Sequence, residues 1–150
     1  MKLPFKSVEV RTFVHATEST EKIKEIFELL ISEEIEINEE EAKGHYGDQI
    51  NIISARIDRR PDLRGFWRKV LELMPDEDKK ELIENALDRI ADDCRLYLRF
   101  DKQAAVNEEL ILTDSGDALH VRINISAYPA KKSLAIEEMR DFISSGLEID

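Results

Sequence analysis

The sequence predicts an α+β two-layer sandwich, a mostly antiparallel sheet with helices packed on one face. Three observations predict it. Stretches such as RLYLRFD (95–101) and LHVRINISA (119–127) alternate apolar and polar residues, the mark of strands with one buried and one open face. Other stretches space their apolar residues three and four apart, the mark of helices buried along one stripe. The elements also fall in the order β-α-β-β-α-α-β-β-β-α, where successive strands with short connections favour antiparallel pairing.

Each element has its own signal. Residues 6–15 place Val8, Val10, Thr12 and Val14 on one strand face and Glu9, Arg11, Phe13 and His15 on the other. The stretch TEST then offers N-cap residues for a helix over 19–32, with Ile23, Ile26, Phe27, Leu30 and Ile31 as its apolar stripe. A strand near 34–42 and one from Ile50 to about Asp58 flank the glycine-bearing loop KGHYGDQ and form a hairpin. Pro61 suits a first helical turn, and Leu63, Phe66, Trp67, Val70, Leu71 and Met74 line that helix. Pro75 breaks it, and a further helix contains Leu82, Ile83, Ala86, Leu87 and Ile90. After the strand 95–101, a strand near 108–113 is expected to join 118–127 through the turn DSGD, with Gly116 free to take a positive φ. A helix over 131–145 closes the chain, using Leu134, Ile136, Met139, Phe142 and Ile143.

At 150 residues the chain is read as one domain spanning 1–150, long enough to bury a core. No apolar run reaches the roughly 18 residues of a membrane span, and the N-terminus carries no signal-peptide pattern. One cysteine, Cys94, leaves no internal disulfide, and a cytoplasmic location is the default expectation.

The formal net charge of −11 argues at first against nucleic acid, which needs positive surface. The charge is segregated, however. The stretch EEIEINEEE (33–41) holds six acids and no base, whereas 43–70 carries Lys43, Arg56, Arg59, Arg60, Arg64, Arg68 and Lys69 against three acids. Residues 95–102 add Arg95, Arg99 and Lys102 against Asp101 alone. Basic residues therefore concentrate on and around predicted strands.

The outward strand positions carry the chemistry. Arg11-x-Phe13-x-His15, Arg95-x-Tyr97-x-Arg99 and His120-x-Arg122-x-Asn124 set guanidinium, flat ring and amide side by side. Unpaired bases stack on flat side chains, and arginine meets phosphate bidentately, so such a face suits a single strand or an RNA loop. Cross-strand pairing with Glu9 and Asp101 is the competing structural reading. In KGHYGDQ, paired glycines bring backbone N–H groups near Lys43, His45 and Tyr46, either as a phosphate-contacting loop or as a plain hairpin turn. Arg60, Arg64 and Arg68 share a helix face, where an anionic ligand or salt bridges would relieve their repulsion. Catalysis finds little support. The three histidines lack metal spacing, Cys94 sits beside Asp92 and Asp93, and no nucleophile elbow is present.

TFVHATE (12–18), GHYGDQI (44–50), LYLRFDKQAA (96–105) and YPA (128–130) resemble, in the same order, a family of small archaeal proteins described as predicted RNA-binding or exosome-associated subunits. The resemblance covers nearly the whole chain, and the second block departs where Asp48 replaces a more frequent asparagine. It implies an α+β sandwich similar to that of a ribosomal protein, and no catalytic residues or cofactor. The expected function is thus a non-catalytic RNA-binding protein, an accessory to RNA processing or degradation that also meets protein subunits of such a complex. The alternative is an acidic protein-interaction subunit without RNA contact. The expected RNA contacts are Arg11, Phe13, His15, Lys43, His45, Tyr46, Arg56, Arg59, Arg60, Arg95, Tyr97, Arg99, Lys102, His120 and Arg122.

Overall fold

The computed structural model describes residues 3–43, 47, 49–114, 116–127 and 129–149, apart from the side chains of Ala86 and of 146–149. The strands are β1 (Phe5–Val14), β2 (Asn38–Lys43), β3 (Gln49–Ile57), β4 (Arg95–Asp101) and β5 (Ala118–Ile125). The helices are α1 (Thr20–Leu30), α2 (Arg60–Leu73), α3 (Asp76–Glu84), α4 (Lys102–Val106) and α5 (Lys132–Ile149). The sheet runs β2-β3-β1-β5-β4, and every neighbouring pair is antiparallel. The α+β sandwich expected from the pattern is the architecture found.

One face of the sheet is the floor of the core. Val8, Val10, Thr12 and Val14 of β1, Ile53, Ala55 and Ile57 of β3, Leu96, Leu98 and Phe100 of β4, and Leu119, Val121, Ile123 and Ile125 of β5 are all buried. The helices lie against that face and meet it with their apolar stripes. In α1, the Ser19 hydroxyl accepts the Lys22 N–H as N-cap, and Ile23, Ile26, Phe27 and Leu30 are buried. In α2, Pro61 stands in the first turn, and Leu63, Phe66, Trp67 and Val70 are buried. Phe5 of β1, Trp67 of α2 and Phe142 of α5 meet with ring centroids 5.7–5.9 Å apart in tilted and edge-on contacts, joining three elements at one end of the core.

Three local expectations change. The strand expected near 108–113 does not form. KQAAV folds instead as the short helix α4, whose N-cap Asp101 accepts the Ala104 N–H, and Glu108 turns the chain with φ of 63°. Only a bridge between Phe100 and Leu112 remains, laid along β4. It could not have paired with β5, whose two edges are taken by β1 and β4. The strand expected from residue 34 begins at Asn38, because Ile35 and Ile37 pack against the core before pairing starts. The helix of 76–90 ends at Glu84 and tightens into a 3-10 turn over Ala86–Arg89, with Asn85, a poor helix-interior residue, between the two. The hairpin of β2 and β3 forms as expected, as does the positive φ of Gly116, at 81°.

Phe100 and Tyr97 face opposite ways from one strand. Phe100→Ala is expected to cost about 3–5 kcal/mol of stability through the cavity it leaves. Tyr97→Ala, on the open side, should stay within about 0.5 kcal/mol. Denaturant unfolding of both variants checks the contrast.

Candidate nucleic-acid interface

Among the described residues, no layer covers the face of the sheet opposite the helices. Directly paired residues on neighbouring strands share a face, so the register gathers outward side chains into rows. One row runs Ser54, Arg11, His120, Arg99 across β3, β1, β5 and β4. The next runs Arg56, Glu9, Arg122, Tyr97, and a third brings Asn124 beside Arg95. Phe13, flanked by Ile52, stands above the first row on β1. Residues from four separate parts of the sequence thus become neighbours.

Their contacts differ along the face. The Arg11 guanidinium lies 5.4 Å from the Phe13 ring centroid, a cation–π distance. Phe13 meets His120 edge-on, centroids 6.4 Å apart. Arg99 donates through Nη1 to the Asp114 carbonyl oxygen at 3.4 Å. Tyr97 is 52% exposed, the one large apolar side chain so exposed among the described residues. A depression of about 470 Å³ lies over Arg11, His120, Arg99 and Tyr97. Glu9 ion-pairs with Arg122, while Arg56 and Arg95 pair with Asp58 and Asp93 at 3.8 and 3.6 Å. The pairs of Arg56 and Arg95 are exposed and weak, while that of Glu9 with Arg122 is half-buried. Arg11 has no ion pair among the described residues. Burial, then the charges of Arg99 and Arg11, push the His120 imidazole below its ordinary 6.5, against a smaller upward pull from Asp117. These rows carry five arginines against Glu9, with Glu40 of β2 beside Ile52 on the same face, in a protein that is strongly anionic overall.

The other expected contacts lie elsewhere. His15 is just past β1, 3.7 Å from the Asp117 carboxylate. Lys43 ends β2 and is exposed. Arg59 is the N-cap of α2 and meets Glu34 at 3.4 Å. Arg60 opens the same helix, exposed with Arg64 and Arg68, on the side away from its buried stripe. His45 and Tyr46 lie outside the described residues. Ser54 and Ile52 join the face without having been singled out. The alternation of Ile53, Ala55 and Ile57 was the signal for them.

Fold and face define the class: a small α+β sandwich with one open sheet surface rich in arginine and flat side chains. More narrowly, a family model described as RNA binding matches residues 7–125, and the chain belongs to that family. It is 35% identical over 147 residues to a Pyrococcus abyssi protein named RNA-binding protein PAB1135, covering 95% of this chain and 96% of that one. Among solved structures, Mth689, a DUF54 protein from Methanothermobacter thermautotrophicus, superposes with a TM-score of 0.79 at 31% identity, covering 93% and 98% of the two chains. Protein SSO0741 from Sulfolobus solfataricus, of the same family, does so with 0.73 at 26%, again covering 93% and 98%.

Lys102 leaves the list of candidate contacts. Its side chain is fully buried, and Nζ reaches Asp117 Oδ2 at 2.5 Å, the Phe13 carbonyl oxygen at 2.7 Å and Glu18 Oε1 at 2.8 Å. All three N–H donors of the ammonium are thereby matched, and no surface remains for a phosphate. The strand alternation signals this, since Leu96, Leu98, Phe100 and Lys102 share a parity. Glu18 and Asp117, with His15, are also grouped closely enough to hold a cation, but the ammonium already bonds both carboxylates. Burial pushes the Glu18 carboxyl up, yet the Lys102 ammonium and the His15 backbone N–H outweigh it and hold it below 4.5. A carboxyl lowered in the folded state contributes stability above its ordinary value of 4.5 and loses it as pH falls. Lys102→Met should cost about 2–4 kcal/mol at neutral pH. It should also flatten the acid-side decline in stability, read from urea midpoints between neutral and acid pH.

Proposed function

We propose that the chain binds single-stranded or looped RNA on the open face of its sheet, as a binding rather than a catalytic protein. The observation that carries the reading is the gathering of Arg11, Arg56, Arg95, Arg99 and Arg122 with exposed Tyr97 on the uncovered face of a chain of net charge −11. Against a net charge of −11, this concentration of guanidinium draws a polyanion to one face of the molecule. Tyr97 offers a base a stacking platform, and arginine neutralises phosphate. Family membership and the name of the Pyrococcus relative support the same reading. An accessory role in RNA processing, within the cytoplasm and beside protein partners, extends it, supported by the family resemblance. No helix of the described residues is long and apolar enough to cross a membrane.

A second reading has an observation of its own. Arg122, Arg56, Arg95 and Arg59 each have a carboxylate partner, as an acidic protein-docking subunit would show. RNA titration at several salt concentrations decides between them. Tyr97→Ala should weaken binding by about 1–3 kcal/mol with the salt dependence unchanged. Arg11→Ala should flatten the slope of log affinity against log salt by about one unit. Wild-type affinity in both variants would remove the face as the RNA site.

A further inference from the structure

The row Ser54–Arg11–His120–Arg99 holds more than general positive charge. The register sets His120 directly opposite Arg11 on one side and Arg99 on the other. Neighbouring strands lie about 4.8 Å apart, so the two arginine backbones are about 10 Å apart with the imidazole midway. Both guanidiniums are on long, flexible stems, and neither has a carboxylate partner among the described residues. The depression over them, about 470 Å³, has room for a phosphate group on the surface of the sheet. Tyr97 and Phe13 flank the row diagonally on opposite sides, where bases adjoining a central phosphate would fall.

Resting on the RNA reading above, we propose that Arg11, His120 and Arg99 form one seat for a phosphate group of an RNA chain, with His120 the central hydrogen-bond donor. The surroundings of His120 decide its protonation. β1 turns Arg11 and Phe13 toward it, the Phe13 ring nearly perpendicular to the imidazole, with Glu9 one row away and engaged by Arg122. β4 turns Arg99 toward it, with Tyr97 and Asp101 diagonal. Its own strand adds Arg122, and the turn before β5 adds Asp117, whose carboxylate is bonded by Lys102. In the free protein burial, and then the charges of Arg99 and Arg11, disfavour the imidazolium. A phosphate between them offsets their charge and supplies an acceptor, so the seat takes up a proton as it fills. Affinity then rises as pH falls through the bound-state midpoint of His120 and levels off below the free-state midpoint.

The test uses the full chain and a single-stranded RNA oligomer of mixed sequence. Affinity is measured across the histidine range for the wild type, His120→Gln and His120→Asn. The imidazole resonance of His120, assigned by its loss in the variants, is titrated with and without RNA. The seat requires wild-type affinity to rise by up to about tenfold per pH unit on acidification. Both variants should lose the pH dependence and bind no tighter at any pH than the wild type does at high pH, and RNA should move the His120 midpoint upward. RNA binding with an unmoved midpoint, or with the pH dependence retained in both variants, overturns the seat and leaves the RNA reading standing. No RNA binding at any pH overturns both.

Discussion

A five-stranded sheet has two faces, and this chain supplies helices for one. Everything else follows from that constraint. The alternation of β1, β4 and β5 buries valine, leucine, isoleucine and phenylalanine under α1, α2, α3 and α5, and hydrophobic burial on that side holds the fold. The same alternation sends every second residue to a surface with no cover. Those residues must tolerate water, and long arginine side chains do so while their methylene stems shield the strands. An open sheet is a flat platform, so chemistry placed on it is held to the precision of the register rather than to that of a loop.

The boundary between the two sides is electrostatic at one point. Lys102 follows β4 on the core parity, and its ammonium is satisfied by one backbone carbonyl and two carboxylates from elements remote in sequence. It ties the end of β1, the start of α1 and the turn before β5 together. The same contacts engage Asp117, the one acid that pulls His120 upward. The packing of the core and the charge state of the open face therefore meet through a single buried cation.

Much of this was legible in the sequence, because period-two alternation reports a strand and its faces at once. Arg11, Phe13, Tyr97, Arg99, His120 and Arg122 were placed outward on that signal, and they are outward. Strand order was not legible. Nothing in residues 5–14 or 118–125 says that Arg11 and His120 are partners, since pairing is decided by the whole fold. Lys102, expected as an RNA contact from its charge, follows the parity of Phe100 into the core instead. The missing strand at 108–113 shows a related limit. Residues 110–112 are apolar, but β1 and β4 already hold both edges of β5, and after the short helix α4 and the positive φ of Glu108 the stretch lies along β4 with a single bridge.

On the function proposed above, the uncovered sheet face is the surface that receives RNA. The outer side of α2, with exposed Arg60, Arg64 and Arg68, is the natural rival for a polyanion. Backbone amide chemical-shift mapping of the intact protein during titration with single-stranded RNA separates the two directly. Changes clustered on Arg11, Tyr97, Arg99, His120 and Arg122 are the result this account requires. Changes clustered on α2, with the sheet face silent, would contradict it.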